Sequence, residues 1–159
     1  MIEIPLTQNQ IALIDDDDFE LVSRYKWRAL WHKDTKSFYA KTNILKSDGK
    51  YTTLPMHRLI LNAQKGDEVD HIHHFTLDNR KSELRICTKN QNQHNRGANA
   101  NNTSGYKGVA WHKKNKKWTA QIRLNLKLKY LGSYPTPELA YEAYCRAAAE
   151  LHGQFARVA

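Results

Sequence analysis

Residues 68 to 95, EVDHIHHFTLDNRKSELRICTKNQNQHN, hold an adjacent Asp70–His71 pair, two further histidines and a trail of asparagines. Metal-dependent cleavage of a phosphodiester needs a hard cation on oxygen ligands to polarise the phosphate and leaving oxygen, plus a base for the attacking water. An Asp beside a His can supply both. A structural zinc site from His71, His73, His74 and His94 is the competing chemistry, but neighbouring residues 73 and 74 rarely converge on one ion and no Cys pair accompanies them. The run DDDDF at 15 to 19 also invites a metal. Four adjacent carboxylates do not converge on one ion, and such runs are usually solvated turns.

Positioning Asp70 and His71 requires an element ending at that pair. VDH reads as the end of one strand and SELRICT as its partner, with Thr88 and Gln91 forming a capping box that opens a short helix. The order strand, loop, strand, helix brings Asn92 and Asn95 to the helix. Ahead of it, IEIPL, IALID, YKWRALWHK, SFYAKTNIL and KYTTLPM alternate or cluster strand formers between polar breaks, predicting short antiparallel strands, with HRLILNA as a short helix.

H-R-L-I at 57 to 60, V-D-H-I at 69 to 72, L-D-N-R at 77 to 80, L-R-x-x-T at 84 to 88 and the following Asn92 resemble the HNH homing endonucleases of phage and mobile-element type. In that family a ββα-metal finger cuts DNA with a divalent ion. The resemblance spans about residues 55 to 95. It implies Asp70 and Asn92 as ligands of one Mg²⁺ or Mn²⁺, with no zinc, and His71 as general base. Asn79 completes the catalytic set and, with the DNA-binding Arg80, supports the loop or a phosphate, while His57 braces the finger. Glu83 stands where the family carries its middle asparagine. An ionised Glu lacks the amide's donor, and a second anion nearby could compete for the metal or raise the pKa of His71. Two functions stay open: an active nuclease, or a DNA-binding protein or regulator with a degenerate finger.

Residues 96 to 105, RGANANNTSG, have linker composition, which sets expected domains at 1–95 and 105–159 around a 96–104 linker. Beyond it, YKGVAWH, KWTAQIRL and LKYLGSY predict three strands. A helix follows from an N-cap at Thr136 and Pro137, through a stripe of Ala140, Ala143, Tyr144, Ala147 and Leu151, to a stop at Gly153. The Y-K-G-V, W-T-A-Q-I-R, Y-L-G-S-Y and A-Y-x-x-A…L-H-G-Q-F-A segments together resemble the Apetala-2/ethylene-response-factor DNA-binding domain. That resemblance implies a DNA-binding sheet face carrying Lys107, Trp111, His112, Lys117, Gln121, Arg123, Lys129 and Tyr130, with Trp118 packed on the helix. Gln121 and Arg123 suit bidentate base contacts, and the lysines suit phosphates. Ala110 replaces a usual arginine, so the target sequence does not carry over.

The charge agrees with a polyanion partner. The net +9 divides into +2 over residues 1–99, from 15 Lys+Arg against 13 Asp+Glu, and +7 over residues 100–159, from 10 against 3. Neutralising phosphates releases counterions and supplies affinity. The fold class expected is α+β, with short antiparallel strands leading into the finger and a three-stranded sheet on one helix following. No long apolar run and no signal-peptide pattern is present, so the protein is expected to be intracellular, off the membrane and monomeric, with double-stranded DNA as its partner. Cys87 and Cys145, far apart, are expected to be reduced apolar residues.

Overall fold

The computed structural model describes residues 1–95, 97–98, 101–124 and 127–157. The chain forms two compact units, Met1–Thr88 and Lys89–Ala159.

The first unit opens with a hairpin of β1 (Ile2–Pro5) and β2 (Ile11–Ile14). Gln8 and Asn9 both take positive φ in its turn, the geometry that matches the twist of paired strands. Asp16–Asp18 forms one 3-10 turn before the short helix α1 (Phe19–Val22). β3 (Arg28–His32), β4 (Ser37–Leu45) and β5 (Tyr51–Pro55) make an antiparallel sheet in the order β3-β4-β5. Alternation along β4 turns Ala40 and Thr42 inward and leaves Tyr39, Lys41 and Asn43 on the other face. α2 (Met56–Ile60) follows directly and buries Met56 and Ile60, four residues apart on one helix face. Arg58 closes its end by donating to the carbonyls of Gln64 and Asp67 at 2.8 and 2.7 Å. β6 (Glu68–His71) and β7 (Leu84–Cys87) then pair antiparallel, with Asp70 opposite Arg85 and His71 opposite Leu84. Ile4, Ala12, Ile14, Val22, Trp27, Ala40, Met56, Ile60 and Leu84 form one core, so the first hairpin, the three-stranded sheet, both helices and the β6–β7 pair share a single apolar cluster.

The second unit starts with α3 (Lys89–His94), which completes the strand, strand, helix order of a ββα-like unit. The linker expected at 96–104 is described only in part. There the Asn102 Oδ1 accepts from the backbone N–H of Ser104 and Gly105, both at 2.9 Å, a local turn that leads into the sheet. β8 (Val109–His112), β9 (Lys117–Leu124) and β10 (Lys127–Tyr134) form an antiparallel sheet in the order β10-β9-β8. It packs on the long helix α4 (Pro137–His152), capped by a 3.3 Å bond from Leu139 N–H to Thr136 Oγ1. The buried stripe is Ala140, Ala143, Tyr144, Ala148 and His152. It departs by one residue in the last two turns from the expected Ala147 and Leu151, which are partly buried beside it.

Gly108 is the closest approach in this unit. Its φ is +75°, and an added Cβ would sit 2.2 Å from the Tyr144 ring and 2.6 Å from the Gln121 carbonyl. Gly108→Ala is therefore expected to destabilise the unit by about 3 kcal/mol, combining left-handed strain with overpacking. Urea unfolding checks this, and a midpoint within error of wild type would contradict it.

Candidate active site and nucleic-acid face

His71 ends β6 and is buried. Its surroundings include two aromatic rings: the His57 and Tyr39 centroids lie 5.1 and 6.0 Å from its own, and His57 and Tyr39 are 5.9 Å from each other. Burial is the main force on both imidazoles. It lowers His57 to about 3, assisted by His71, Arg58 and Lys41. It lowers His71 to about 4, opposed by the Asp70 carboxylate, the Asn79 amide and Asp78, with His74 adding to the lowering. His71 is thus a neutral imidazole at pH 7, which a general base must be. His57 packs edge to face on His71.

The loop from 77 to 81 is tied down by the first hairpin. Leu13 N–H donates to the Leu77 carbonyl at 2.9 Å and Asn79 N–H to the Leu13 carbonyl at 2.7 Å, so β2 carries this loop as a partial extra strand. Lys81 extends the tie: its N–H donates to Asp15 Oδ2 at 2.8 Å and its ammonium to buried Asp18 Oδ1 at 2.7 Å. The acidic run is thus divided between loop and solvent, Asp16 and Asp17 remaining exposed. Two of its carboxylates anchor the loop.

Asn79 is fully buried and donates to the Leu77 carbonyl at 3.0 Å. It supports the loop beside His71 and has no surface to offer a phosphate. Arg80 likewise takes the loop, the first of its two expected places. Its Nε and Nη2 donate to the Asp78 carboxylate at 2.8 and 2.5 Å, which holds the Asp78 pKa down and commits the guanidinium to the loop.

Glu83 has a partner that sequence reasoning missed. Its Oε2 lies 2.7 Å from His73 Nδ1, while its backbone carbonyl accepts from Ile72 N–H at 2.9 Å. His73 was one of the surplus histidines, and its signal was the i, i+10 pairing across the turn opposite an out-of-pattern acid. The carboxylate is turned to His73, and the groups that bear on His71 are Asp70, Asn79, Asp78 and His74. The expected rise in the His71 pKa is absent.

Asp70 is buried and paired with Arg85 across the hairpin, Arg85 Nη2 and Nε approaching the same Oδ2 at 2.6 and 2.9 Å. A carboxylate oxygen is the donor a hard cation takes. Among the described residues no group of three or more His, Cys, Asp or Glu side chains comes together to hold an ion. Asn92 lies half-buried on α3 in the second unit.

In that unit β9 sets the faces of the sheet. Ala120 and Ile122 point to α4, so Gln121 and Arg123 point away. Register adds His112 and Lys117, opposite each other, and Tyr130, opposite Gln121, to the outer face. Two expected members do not belong there. Trp111 pairs with Trp118, and Lys129 with Ile122, which puts both on the helix side. Trp118 packs against the Val109, Ala120 and Ala140 cluster, as expected. Lys107 is a third correction. Its ammonium bonds to the His94 carbonyl at the end of α3, and burial, with Arg157, lowers its pKa to about 8. His94 also stacks on His152 with ring centroids 3.7 Å apart, so Lys107 and this stack dock α3 onto the sheet and α4.

Residues 104–154 match the AP2 domain family. Protein 3.8 of Escherichia phage T7 is 34% identical over 93 residues, 58% of this chain and 76% of that protein. An uncharacterized HNH endonuclease of Acanthamoeba polyphaga mimivirus is 32% identical over 151 residues, 91% of this chain and 72% of that protein. No solved structure matches the chain. The fold and the comparisons define a two-part protein, an HNH-type ββα-like region followed by an AP2-like DNA-binding domain. The chain belongs to the family of the mimivirus HNH endonuclease.

Two measurements follow from this geometry. Glu83→Asn, which would restore the family residue, is expected to loosen the loop because it breaks the His73 contact. Glu83→Asn and His73→Ala should each lower the thermal midpoint, and the double variant should fall no further than the larger single one. The coupling is small, about 0.5 kcal/mol, because His73 is exposed. Additive losses would contradict the pairing. Both buried imidazoles titrate lower in the fold than the 6.5 of an unfolded chain, so the unfolded state takes up protons first. Stability should fall as pH drops from about 6.5 toward 4, and His57→Phe should flatten that dependence in urea titrations.

Proposed function

We propose that the chain is a metal-dependent DNA endonuclease of mobile-element type, acting on double-stranded DNA inside the cell as a monomer. The observation that carries this is His71, a neutral, buried imidazole beside Asp70 at the end of the β6–β7 hairpin. His71 takes a proton from water as the water oxygen attacks phosphorus. The bond from phosphorus to the 3′ oxygen breaks, leaving a 5′-phosphate and, after protonation, a 3′-hydroxyl. Asp70 is the residue of the first unit that would hold Mg²⁺ or Mn²⁺, which when bound would supply positive charge to the departing oxygen. Asn79 fixes the loop around His71, and His57 packs the ring so that it keeps one orientation. The outer face of the C-terminal sheet grips the duplex, with Gln121 and Arg123 at base edges and His112, Lys117 and Tyr130 alongside. Among the described residues no helix is long and apolar enough to cross a membrane.

A second reading has its own support. Arg85 places two N–H donors on one oxygen of Asp70 and neutralises its charge, which favours a DNA-binding protein whose finger no longer cuts. One assay separates the two. With supercoiled plasmid and Mg²⁺ or Mn²⁺, wild type is expected to convert substrate to nicked or linear DNA. EDTA should abolish this, and His71→Ala should lower the rate at least about 100-fold, the usual contribution of a general base. Salt-sensitive binding without metal-dependent cutting would establish the second reading instead.

A further inference from the structure

The β3–β5 sheet buries one face through Ala29, Ala40 and Thr42. Its other face ranges from half-buried to exposed. Register aligns Arg28, Lys41 and Pro55 in one row across that face, with Leu30 beside Tyr39 on one side and Asn43 beside Thr53 on the other. None of the residues in the three strands is Asp or Glu, so Arg28 and Lys41 act without a neighbouring anion on their own sheet. A sheet face with fixed cations and no carboxylates is complementary to a polyanion.

Both cations are positioned. Arg28 Nη2 donates to Asn43 Oδ1 at 2.6 Å, and Thr53 Oγ1 donates to the same oxygen at 3.3 Å. Arg28 Nε is buried and has no acceptor among the described residues. The Lys41 ammonium lies 5.5 Å from the Tyr39 ring centroid, within cation–π range. Tyr39 in turn meets both His57 and His71 edge to face. The basic row therefore runs directly onto the ring cluster around His71, and the Lys41 charge is close enough to help keep His57 neutral.

We infer that this outward face of β3–β5 is a second DNA-binding surface, on which Lys41 and Arg28 hold backbone phosphates of the strand whose scissile phosphate lies at His71. The placing of the scissile phosphate rests on the nuclease reading, whereas the affinity of the face for DNA does not. The C-terminal sheet would then supply sequence preference while this face holds the cut strand beside the base. Interactions of this kind are with phosphate and carry no sequence information.

The test uses the full chain, a fluorescein-labelled duplex and EDTA, so that binding is read without cleavage. Anisotropy titrations across a salt series give the slope of log K against log salt, which changes by about 0.9 for each phosphate that is no longer neutralised. Lys41→Met keeps the aliphatic stem over Tyr39 and should reduce the slope by about 0.9. Lys41→Met with Arg28→Gln should reduce it by about 1.8, while Lys65→Met, a lysine outside the sheet, should leave it unchanged. A double variant with the wild-type slope would overturn the inference, as would an equal reduction in Lys65→Met, since that would reflect net charge alone. If the double variant does not fold by circular dichroism, the Lys41→Met slope decides. A wild-type chain that binds but never nicks would fall against the nuclease reading and not against this face.

Discussion

Desolvation of His71 is the constraint on which the first unit turns. The imidazole stands next to Asp70, whose charge pulls its pKa upward, so its neutrality at pH 7 is held against that charge. Burial wins that contest because the imidazole is enclosed by His57, Tyr39 and Asn79. The enclosure depends on the loop that carries Asn79, and the loop depends on β2 and on two aspartates of the acidic run. Strands far away in sequence thus decide the protonation of one side chain.

Much of the charge that looks available in the sequence is engaged inside the fold. Arg80 is held by Asp78, Arg85 by Asp70, Lys81 by Asp15 and Asp18, and Lys107 by the end of α3. A buried charge such as Asp18 or Asp70 must be paired or hydrogen-bonded to offset its desolvation, so these cations are engaged within the fold before they can serve DNA. Two sheets nonetheless carry cations on their outward faces: Arg28 and Lys41 in the first unit, Lys117 and Arg123 in the second. Both sheets bury one face and present the other, the arrangement in which alternate residues can be specialised for core and for ligand.

The Glu83 and His73 pair shows how a departure from a family pattern can be absorbed. An acid in place of an amide loses a donor, and a histidine in the turn that follows β6 supplies one. The acid and the histidine meet in one contact between residues 73 and 83, while Glu83 keeps the backbone bond to Ile72 that closes the hairpin.

The order strand, loop, strand, helix was legible from residue types and spacing. So were the three C-terminal strands, the Thr136 cap and the Gly153 stop, because caps, turns and alternation are local and each leaves its mark within a few residues. Registers and partners were not legible. Trp111 and Lys129 were expected on the DNA face and lie on the helix side, because a strand's exposed face is chosen by which neighbours it pairs with. The acidic run looked like a turn until Lys81 was brought beside it from more than sixty residues away. The sequence by itself determined the kinds of element and the residues able to do chemistry. Only the tertiary structure decided which charges face outward and which imidazole is neutral, since burial and pairing are properties of the packed chain and not of any segment of it.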